Sequence, residues 1–258
     1  MTKYVLKRIL LAIPVLICIS IGAFVLMHMA PGDPADMFLT PEMTKEQVAL
    51  IRESFGLDKP IIMQYIDWAN NFVQGNLGFS FVNHQPIIEV IAQRFKPTLL
   101  LMGTSLLVAY ALAVPFGIIS ALYKDSWIDR IIIGFTFCNV SFPPFFLGLA
   151  LIYIFAVQMG LFPTGGMETL GYEDDIGGLV MHLVLPVIVM ASQYCANMIR
   201  YVRASVLDVL EQNYIRTAIA KGLNKRQIIC SHVLRNALIP IVTVIGTDLP
   251  KIIGGAVV

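Results

Sequence analysis

Charge is scarce in this sequence, because Asp, Glu, Lys and Arg together make up only 14% of its 258 residues. Soluble domains carry about a quarter charged residues. Hydrophobic residues reach 57% and the mean hydropathy is +0.76, which is more apolar surface than a soluble core can bury. The net charge of +1 gives no support to nucleic-acid binding, so no nucleic acid partner is expected. Composition therefore predicts an integral membrane protein.

Cysteine is equally sparse, and its placement excludes two kinds of site. The four cysteines stand singly, which is neither a disulfide framework nor the spacing of metal ligands; they are Cys18, Cys138, Cys195 and Cys230. We expect them to be packing residues, and we expect no metal and no cofactor.

Catalytic motifs are absent as well, since the sequence has no nucleophile elbow, no His-Glu-x-x-His and no P-loop. The chain is therefore not expected to be an enzyme. One enzymatic alternative stays open, an intramembrane protease in which Ser105 or Ser141 meets His182. Ser and His within membrane spans more often make hydrogen bonds that pack helices together.

Long apolar runs dominate what is present. Five of them can cross a hydrocarbon core of about 30 Å, and they cover residues 9–29, 98–123, 131–159, 179–199 and 234 to about 257. The first run is too long for the apolar part of a signal peptide, which favours an uncleaved span. Prolines in or beside the runs predict kinked helices, because neighbouring helices can satisfy the backbone groups that a proline frees. The fold class is an all-α membrane bundle.

Basic residues are distributed unevenly among the short loops. Seven lie between residues 200 and 235, whereas residues 160–178 have none and carry four acidic residues. Lys3, Lys7 and Arg8 precede the first span. The positive-inside rule then predicts a cytoplasmic N-terminus, a cytoplasmic loop at 200–235 and an extracytoplasmic region at 30–97.

The extracytoplasmic region has helical patterns of its own. Thr44 and Gln47 form a capping-box signature, and the helix that follows can end at Gly56. A second amphipathic helix follows Pro60 and ends at Gly75. This region is expected to cap the bundle, to receive a soluble binding protein, or to do both.

The loop at 200–235 contains a short helical pattern that a bilayer does not explain. Ile215, Ala218 and Ile219 share one face at i, i+3 and i+4, and Gly222 supplies a break of the kind found at helix C-caps. A second segment starts near Asn224. A short helix in a cytoplasmic loop indicates contact with another protein.

These residues resemble the EAA loop of binding-protein-dependent ABC importer permeases, and most closely the dipeptide, oligopeptide, glutathione and nickel branch. That branch reads Tyr-x-Arg-Thr-Ala-x-Ala-Lys-Gly, which this chain matches at Tyr214, Arg216, Thr217, Ala218, Ala220, Lys221 and Gly222. The general pattern of these permeases has Glu where this chain has Arg216, and its Pro follows the Gly sooner than Pro240 follows Gly222. The resemblance extends to residues 29–34, 55–60 and 75–80.

The resemblance implies a type I ABC importer bundle in the bacterial inner membrane. Its partners would be a second permease subunit, two cytoplasmic ATPase subunits and an extracytoplasmic substrate-binding protein, with lipid around the bundle. The seven matching residues would dock on the ATPase, with Ala218 and Ala220 permitting close approach. The domains would be an N-terminal span (1–29), an extracytoplasmic helical region (30–97) and the permease core (98–258). Peptides, glutathione and nickel remain equal candidates for the substrate.

Two charged residues, Asp248 and Lys251, lie three apart in the last apolar run, close enough on a helix to pair. The matching positions in the family are usually uncharged. The pair could neutralise itself at the outer interface. Alternatively, Asp248 lies in the translocation path and contacts a cationic or amino-bearing substrate.

The resemblance also implies a sixth span after an outer loop, whereas this sequence ends in apolar residues after the fifth. We expect that the sixth span is missing from it. The main rival function is an ion-coupled secondary transporter, which would need ionisable residues near the midplane. The interiors of the first four predicted spans have no Asp, Glu, Lys or Arg.

Overall fold

The computed structural model describes residues 2–30, 32, 43–80, 82–168 and 175–255. Within these residues the chain is helical, and strand pairing is limited to an isolated bridge between Phe79 and Pro86. The chain divides into two compact units, Met1–Ala92 and Gln93–Val258. Parts of the 29–34 motif, the acidic residues Glu173 and Asp174, and the last three residues lie outside the described residues.

The described residues of the first unit form α1 (Thr2–Met29), α2 (Lys45–Ser54), α3 (Ile61–Val73) and the start of a fourth helix. The capping box that Thr44 and Gln47 predict is present at the start of α2. Gly56 and Gly75 have φ of +66° and +80°, which is backbone that glycine adopts without a steric cost. The predicted helix boundaries in this region are confirmed.

Helices α1 and α3 meet through a small polar and aromatic contact. The hydroxyls of Ser20 and Tyr65 are 2.9 Å apart, and His28 Nε2 lies 3.0 Å from Gln64 Oε1. The ring of Phe24 packs edge-on against Tyr65. The most apolar 18-residue window of α1 has no buried residue, so the outer surface of this helix is suited to lipid.

The second unit begins within α4 (Ile87–Leu122), a continuous helix that starts well before the predicted span at 98 and contains Pro97. Helix α7 (Ile176–Leu210) likewise continues past the predicted end at 199, so the first part of the predicted cytoplasmic loop is helix. The Asp175 carboxylate caps α7 by accepting from the backbone N–H groups of Gly177 and Gly178.

The predicted span at 131–159 is not one straight helix, and whether it crosses the membrane as a single broken span stays a prediction. Helices α5 (Trp127–Ser141) and α6 (Pro144–Leu151, continuing as a π-helix over Ile152–Gln158) are bent by 96° relative to each other. The break follows from the Pro143-Pro144 pair, which lacks two backbone donors and disfavours helical backbone at Phe142. This segment is a broken span or a re-entrant loop.

The remaining helices are α8 (Asn213–Ala220), α9 (Lys225–Gln227) and α10 (Leu234–Gly254), the last two joined by a π-helical stretch, Ile228–Val233. Asn224 caps α9, at the predicted start of the second segment. Among the described residues, four helices are long and apolar enough to cross a membrane, or five if the bent pair counts as one span.

Small residues let α4 and α7 approach closely at the centre of this unit. A Cβ atom added to Gly117 would lie 2.6 Å from Val202 Cβ and 3.0 Å from the Ile199 carbonyl oxygen. Ala109 and Ala113, on the same helix, are fully buried. Close packing of small residues is how membrane helices gain dispersion energy without a hydrophobic driving force.

Candidate functional site

Helix α8 carries the predicted docking motif, and the structure divides its residues between two surfaces. Ile215 and Ala218 are 1% and 7% exposed and belong to the same core cluster as Val206 and Val233. Ile219 is 60% exposed, so it does not share the buried face that its spacing suggested. A short surface helix packs only one face against the core, and Ile219 lies outside that face.

The other residues of the motif lie on the open side of α8. Tyr214, Arg216, Thr217, Ala220 and Lys221 are all exposed. The resemblance assigns close approach to an ATPase to both Ala218 and Ala220. Of these two, only Ala220 is exposed in this structure and therefore open to such a contact. Ala218 instead lets α8 lie close to its own chain.

Gly222 ends α8 in left-handed backbone with φ of +76°. Its N–H donates to the Ile219 carbonyl at 2.9 Å, and the next N–H, of Leu223, donates to the Ala218 carbonyl at 3.3 Å. In the described part of the chain, no atom beyond the neighbouring residues lies within 4 Å of where a Cβ would be. The turn therefore requires glycine for its backbone angle, and the chain itself leaves the space beside it open.

An ion pair that the sequence reasoning missed joins three helices near α8. Arg203 on α7 donates two hydrogen bonds to the Asp129 carboxylate on α5, at 2.8 and 2.7 Å. The same carboxylate accepts from the Ser120 hydroxyl on α4 and from the Asp125 backbone N–H. The sequence alone places Arg203 among the basic residues of the loop at 200–235. The available signal was an N-cap serine, Ser126, with an aspartate, Asp129, at the third position of the apolar helix that follows.

Helix α7 also holds the break between α5 and α6. The Gln193 side-chain amide donates to the carbonyls of Asn139 and Phe142, at 2.9 and 3.3 Å. These carbonyls belong to the end of α5, where the helix has no later N–H groups to satisfy them. Because Gln193 supplies the donor from another helix, the bend is anchored to α7.

Asp248 and Lys251 pair as predicted, with Lys251 Nζ 2.6 Å from Asp248 Oδ1. The other carboxylate oxygen accepts the Tyr110 hydroxyl from α4. The Asp248 side chain is 15% exposed and the Lys251 side chain is 55% exposed. The two explanations for this pair, self-neutralisation and contact with substrate, both remain predictions.

The protease alternative gains no support from the geometry. The Ser105 hydroxyl is buried and has no hydrogen-bond partner among the described residues, so it is not bonded to a histidine base there. Ser141 donates to the Phe137 carbonyl of its own helix at 2.8 Å. Nucleophile and base must lie within hydrogen-bond reach for this chemistry, and these serines do not meet that condition here.

The described part of the chain is a helical bundle in which a short helix, α8, packs against the core between two helices long enough to span a membrane. Residues 113–258 match the family described as "Binding-protein-dependent transport system inner membrane component", and residues 1–102 match the N-terminal region of the same kind of component. The chain belongs to this family of ABC importer permeases, which confirms the resemblance stated from residues 214–222.

Similar proteins agree with this family over the whole chain. The oligopeptide transport system permease protein AppB of Bacillus subtilis (strain 168) is 42% identical over 259 residues, covering 100% of this chain and 82% of AppB. The glutathione transport system permease protein GsiC of Escherichia coli (strain K12) is 38% identical over 258 residues, covering 100% of this chain and 81% of GsiC. The protein is thus a multi-pass inner membrane permease.

Proposed function

We propose that this chain is a translocation subunit of an ATP-driven importer for peptides or a related small solute such as glutathione or nickel. The names of the relatives support peptides and glutathione as substrates, since AppB is an oligopeptide permease and GsiC is a glutathione permease. The importer would combine this chain with a second permease, two cytoplasmic ATPase subunits and an extracytoplasmic binding protein. The domains are those predicted from sequence: the first span (1–29), an outer region (30–97) and the permease core (98–258).

The observation that carries the proposal is the construction of α8. Its exposed side presents Tyr214, Arg216 and Lys221, while Ile215 on the opposite side is inserted into the core of the spans. A helix held in this way transmits force, because a displaced Ile215 would have to carry the core residues with it. An ATPase that closes on ATP could therefore move α8 as a lever and switch the bundle between inward and outward access.

The ATPase would contact the open side of α8 and the space beside Gly222. The orientation with α8 and the N-terminus in the cytoplasm rests on the seven basic residues at 200–235 against none at 160–178. With this orientation, Asp248 and Lys251 would lie farther from the cytoplasm than α8. They are therefore candidates for the translocation path.

The test uses the complete importer reconstituted in liposomes, with Gly222→Val as the main variant. Valine is strongly disfavoured in left-handed backbone, whereas asparagine tolerates it, so Gly222→Asn is the matched control. We expect Gly222→Val to insert normally but to lose both uptake and the stimulation of ATP hydrolysis by loaded binding protein. Gly222→Asn should keep more of both activities than Gly222→Val.

A second pair of variants separates docking from packing. Ile219→Ala changes an exposed residue of α8 and should weaken ATPase stimulation while leaving thermal stability near that of the unmodified complex. Ile215→Ala removes a fully buried side chain, at a cost of about 2–5 kcal/mol, and should lower stability as well. Full stimulation and uptake in both Gly222→Val and Ile219→Ala would exclude α8 as the docking element.

A further inference from the structure

A small cavity with both polar and apolar lining lies between α7 and α10, at the level of the Asp248–Lys251 pair. It has a volume of about 260 Å³ and is bordered by Tyr194, Asn197 and Tyr201 on α7 and by Asp248 and Lys251 on α10. Cavities that enclose a whole drug-sized ligand span roughly 300–1,000 Å³. This cavity therefore suits one end of a small solute better than the whole of it.

With Leu122 and Arg235 taken as the cytoplasmic ends of their spans, helix geometry puts the pair inside the bilayer. Tyr110, which donates to Asp248, precedes Leu122 at the end of α4 by 12 residues, or about 18 Å at 1.5 Å per residue. Asp248 follows Arg235 on α10 by 13 residues, or about 20 Å. The hydrocarbon core is about 30 Å thick, so from Leu122 and from Arg235 both distances reach past its midplane. Ionisable groups at such depth usually face a bundle interior or an aqueous cavity.

The two charges of the pair are not equally available to a solute. Both Asp248 oxygens are already used, one by Lys251 and the other by the Tyr110 hydroxyl, and the side chain is 15% exposed. Lys251 is 55% exposed, and Asp248 takes one of the three donors that an ammonium group carries. The ammonium also lies 5.8 Å from the centre of the Tyr194 ring, which favours a cation there. The charge that the cavity presents is positive.

We infer that Lys251 receives a carboxylate group of the transported solute as it passes through the cavity between α7 and α10. This inference rests on the proposed function and deepens it, because it selects carboxylate-bearing solutes such as peptides over a bare metal cation. Asp248 and Tyr110 hold the ammonium at the edge of the cavity and reduce the cost of a charge at this depth. The inference also reverses the sign of the contact predicted from sequence, in which Asp248 would receive a cation.

The experiment measures the reactivity of Lys251 in the complete importer, held in nanodiscs of zwitterionic lipid. Lysines are acetylated with an amine-specific reagent and the rate at each position is followed by mass spectrometry, with exposed Lys225 as the internal reference. The probes are trialanine and its carboxamide, which share the amino group and differ only at the carboxyl end. Trialanine should slow acetylation of Lys251 by about twofold at a concentration equal to its Kd, with no effect at Lys225. The carboxamide should leave the rate unchanged.

Three results would overturn the inference. Equal protection by both peptides would show that the amino end binds, as a contact with Asp248 requires. No protection by either would show that the cavity does not admit a carboxylate. Protection that depends instead on replacing the zwitterionic lipid with phosphatidylglycerol would assign the ammonium to a lipid phosphate.

Transport by substituted importers supplies a second readout. Lys251→Gln should lower uptake of trialanine relative to the carboxamide, and Lys251→Arg should restore the ratio because it keeps the charge. An unchanged ratio in Lys251→Gln would also overturn the inference. Stimulation of ATP hydrolysis by loaded binding protein, measured in the same nanodiscs, reports on the proposed function separately. Its absence would reject the importer mechanism, whereas the protection of Lys251 tests the carboxylate contact.

Discussion

Arg203 and Asp129 form a two-point ion pair, with both guanidinium nitrogens within 2.8 Å of the carboxylate oxygens. The pair joins α7 to the start of α5, and Ser120 extends it to α4. Because planar guanidinium and carboxylate groups match at two points, the pair specifies orientation as well as attraction. The three helices are thus tied together close to the core that receives α8.

Breaking this pair on one side should destabilise the permease. Asp129→Ala leaves the Arg203 charge without its partner, which typically costs about 3–5 kcal/mol at a buried site. Arg203 is partly exposed, so we expect the lower end of this range, measured as a fall in the thermal unfolding temperature of the detergent-solubilised complex. The double variant Asp129→Leu with Arg203→Met should recover part of the loss, because it removes both charges. A double variant less stable than either single variant would contradict this account.

The approach of α4 to α7 should tolerate no side chain at Gly117. Gly117→Ala places a Cβ 2.6 Å from Val202 Cβ, and forcing the two helices apart should cost about 1–3 kcal/mol. Gly103→Ala is the control on the same helix, since no atom of another described segment lies within 4 Å of its added Cβ. The measurement is the yield of folded protein and its unfolding temperature. Equal stability of the two variants would show that the close approach is not a feature of the folded protein.

The bend between α5 and α6 should depend on Gln193. Gln193→Leu has similar size but no donor, so the carbonyls of Asn139 and Phe142 lose their partner, at about 1–3 kcal/mol if they stay dry. We expect a lower unfolding temperature and altered uptake. Ser192→Ala is the neighbouring control, because Ser192 bonds only the Val189 carbonyl of its own helix among the described contacts. If the two variants behave alike, Gln193 does not anchor the bend.

The orientation is tested with single cysteines in a chain without native ones. Cys195 is 5% exposed, so alanine is the better replacement there, while serine suffices at the exposed positions. Glu168→Cys and Glu173→Cys should react with an impermeant thiol reagent from outside, although Glu173 lies outside the described residues. Lys225→Cys should react only after permeabilisation, and it preserves the neighbouring Asn224 cap. The reverse labelling pattern would exclude a cytoplasmic α8.

Local sequence signals predicted a large part of the fold. The capping box at Thr44, the helix after Pro60 and the start of the segment at Asn224 all depend on residues within a few positions of one another. The i to i+3 pairing of Asp248 with Lys251 is equally local. Span boundaries were less accurate, because α4 and α7 continue as helices beyond the ends of their apolar runs.

The least predictable features depend on contacts between distant positions. Arg203 looks like one of many loop cations until α7 is seen to bring it to Asp129, 74 positions earlier. The exposed face of α8 could not be inferred from its own pattern, since Ile215 and Ile219 are alike in sequence and only the packing of the core buries one of them.

The sequence by itself determined the class of this protein, because apolar content and run length reflect transfer from water to lipid and need no knowledge of tertiary contacts. It also determined the family, through the spacing of residues 214–222. Only the tertiary structure decided which charge of the Asp248–Lys251 pair is open, since that depends on a hydroxyl from Tyr110, on a different helix. It also decided how the bend in the third apolar run is held, because the Asn139 and Phe142 carbonyls at the end of α5 are satisfied by Gln193 from α7. Burial and hydrogen bonding between helices are properties of the packed bundle rather than of any single segment.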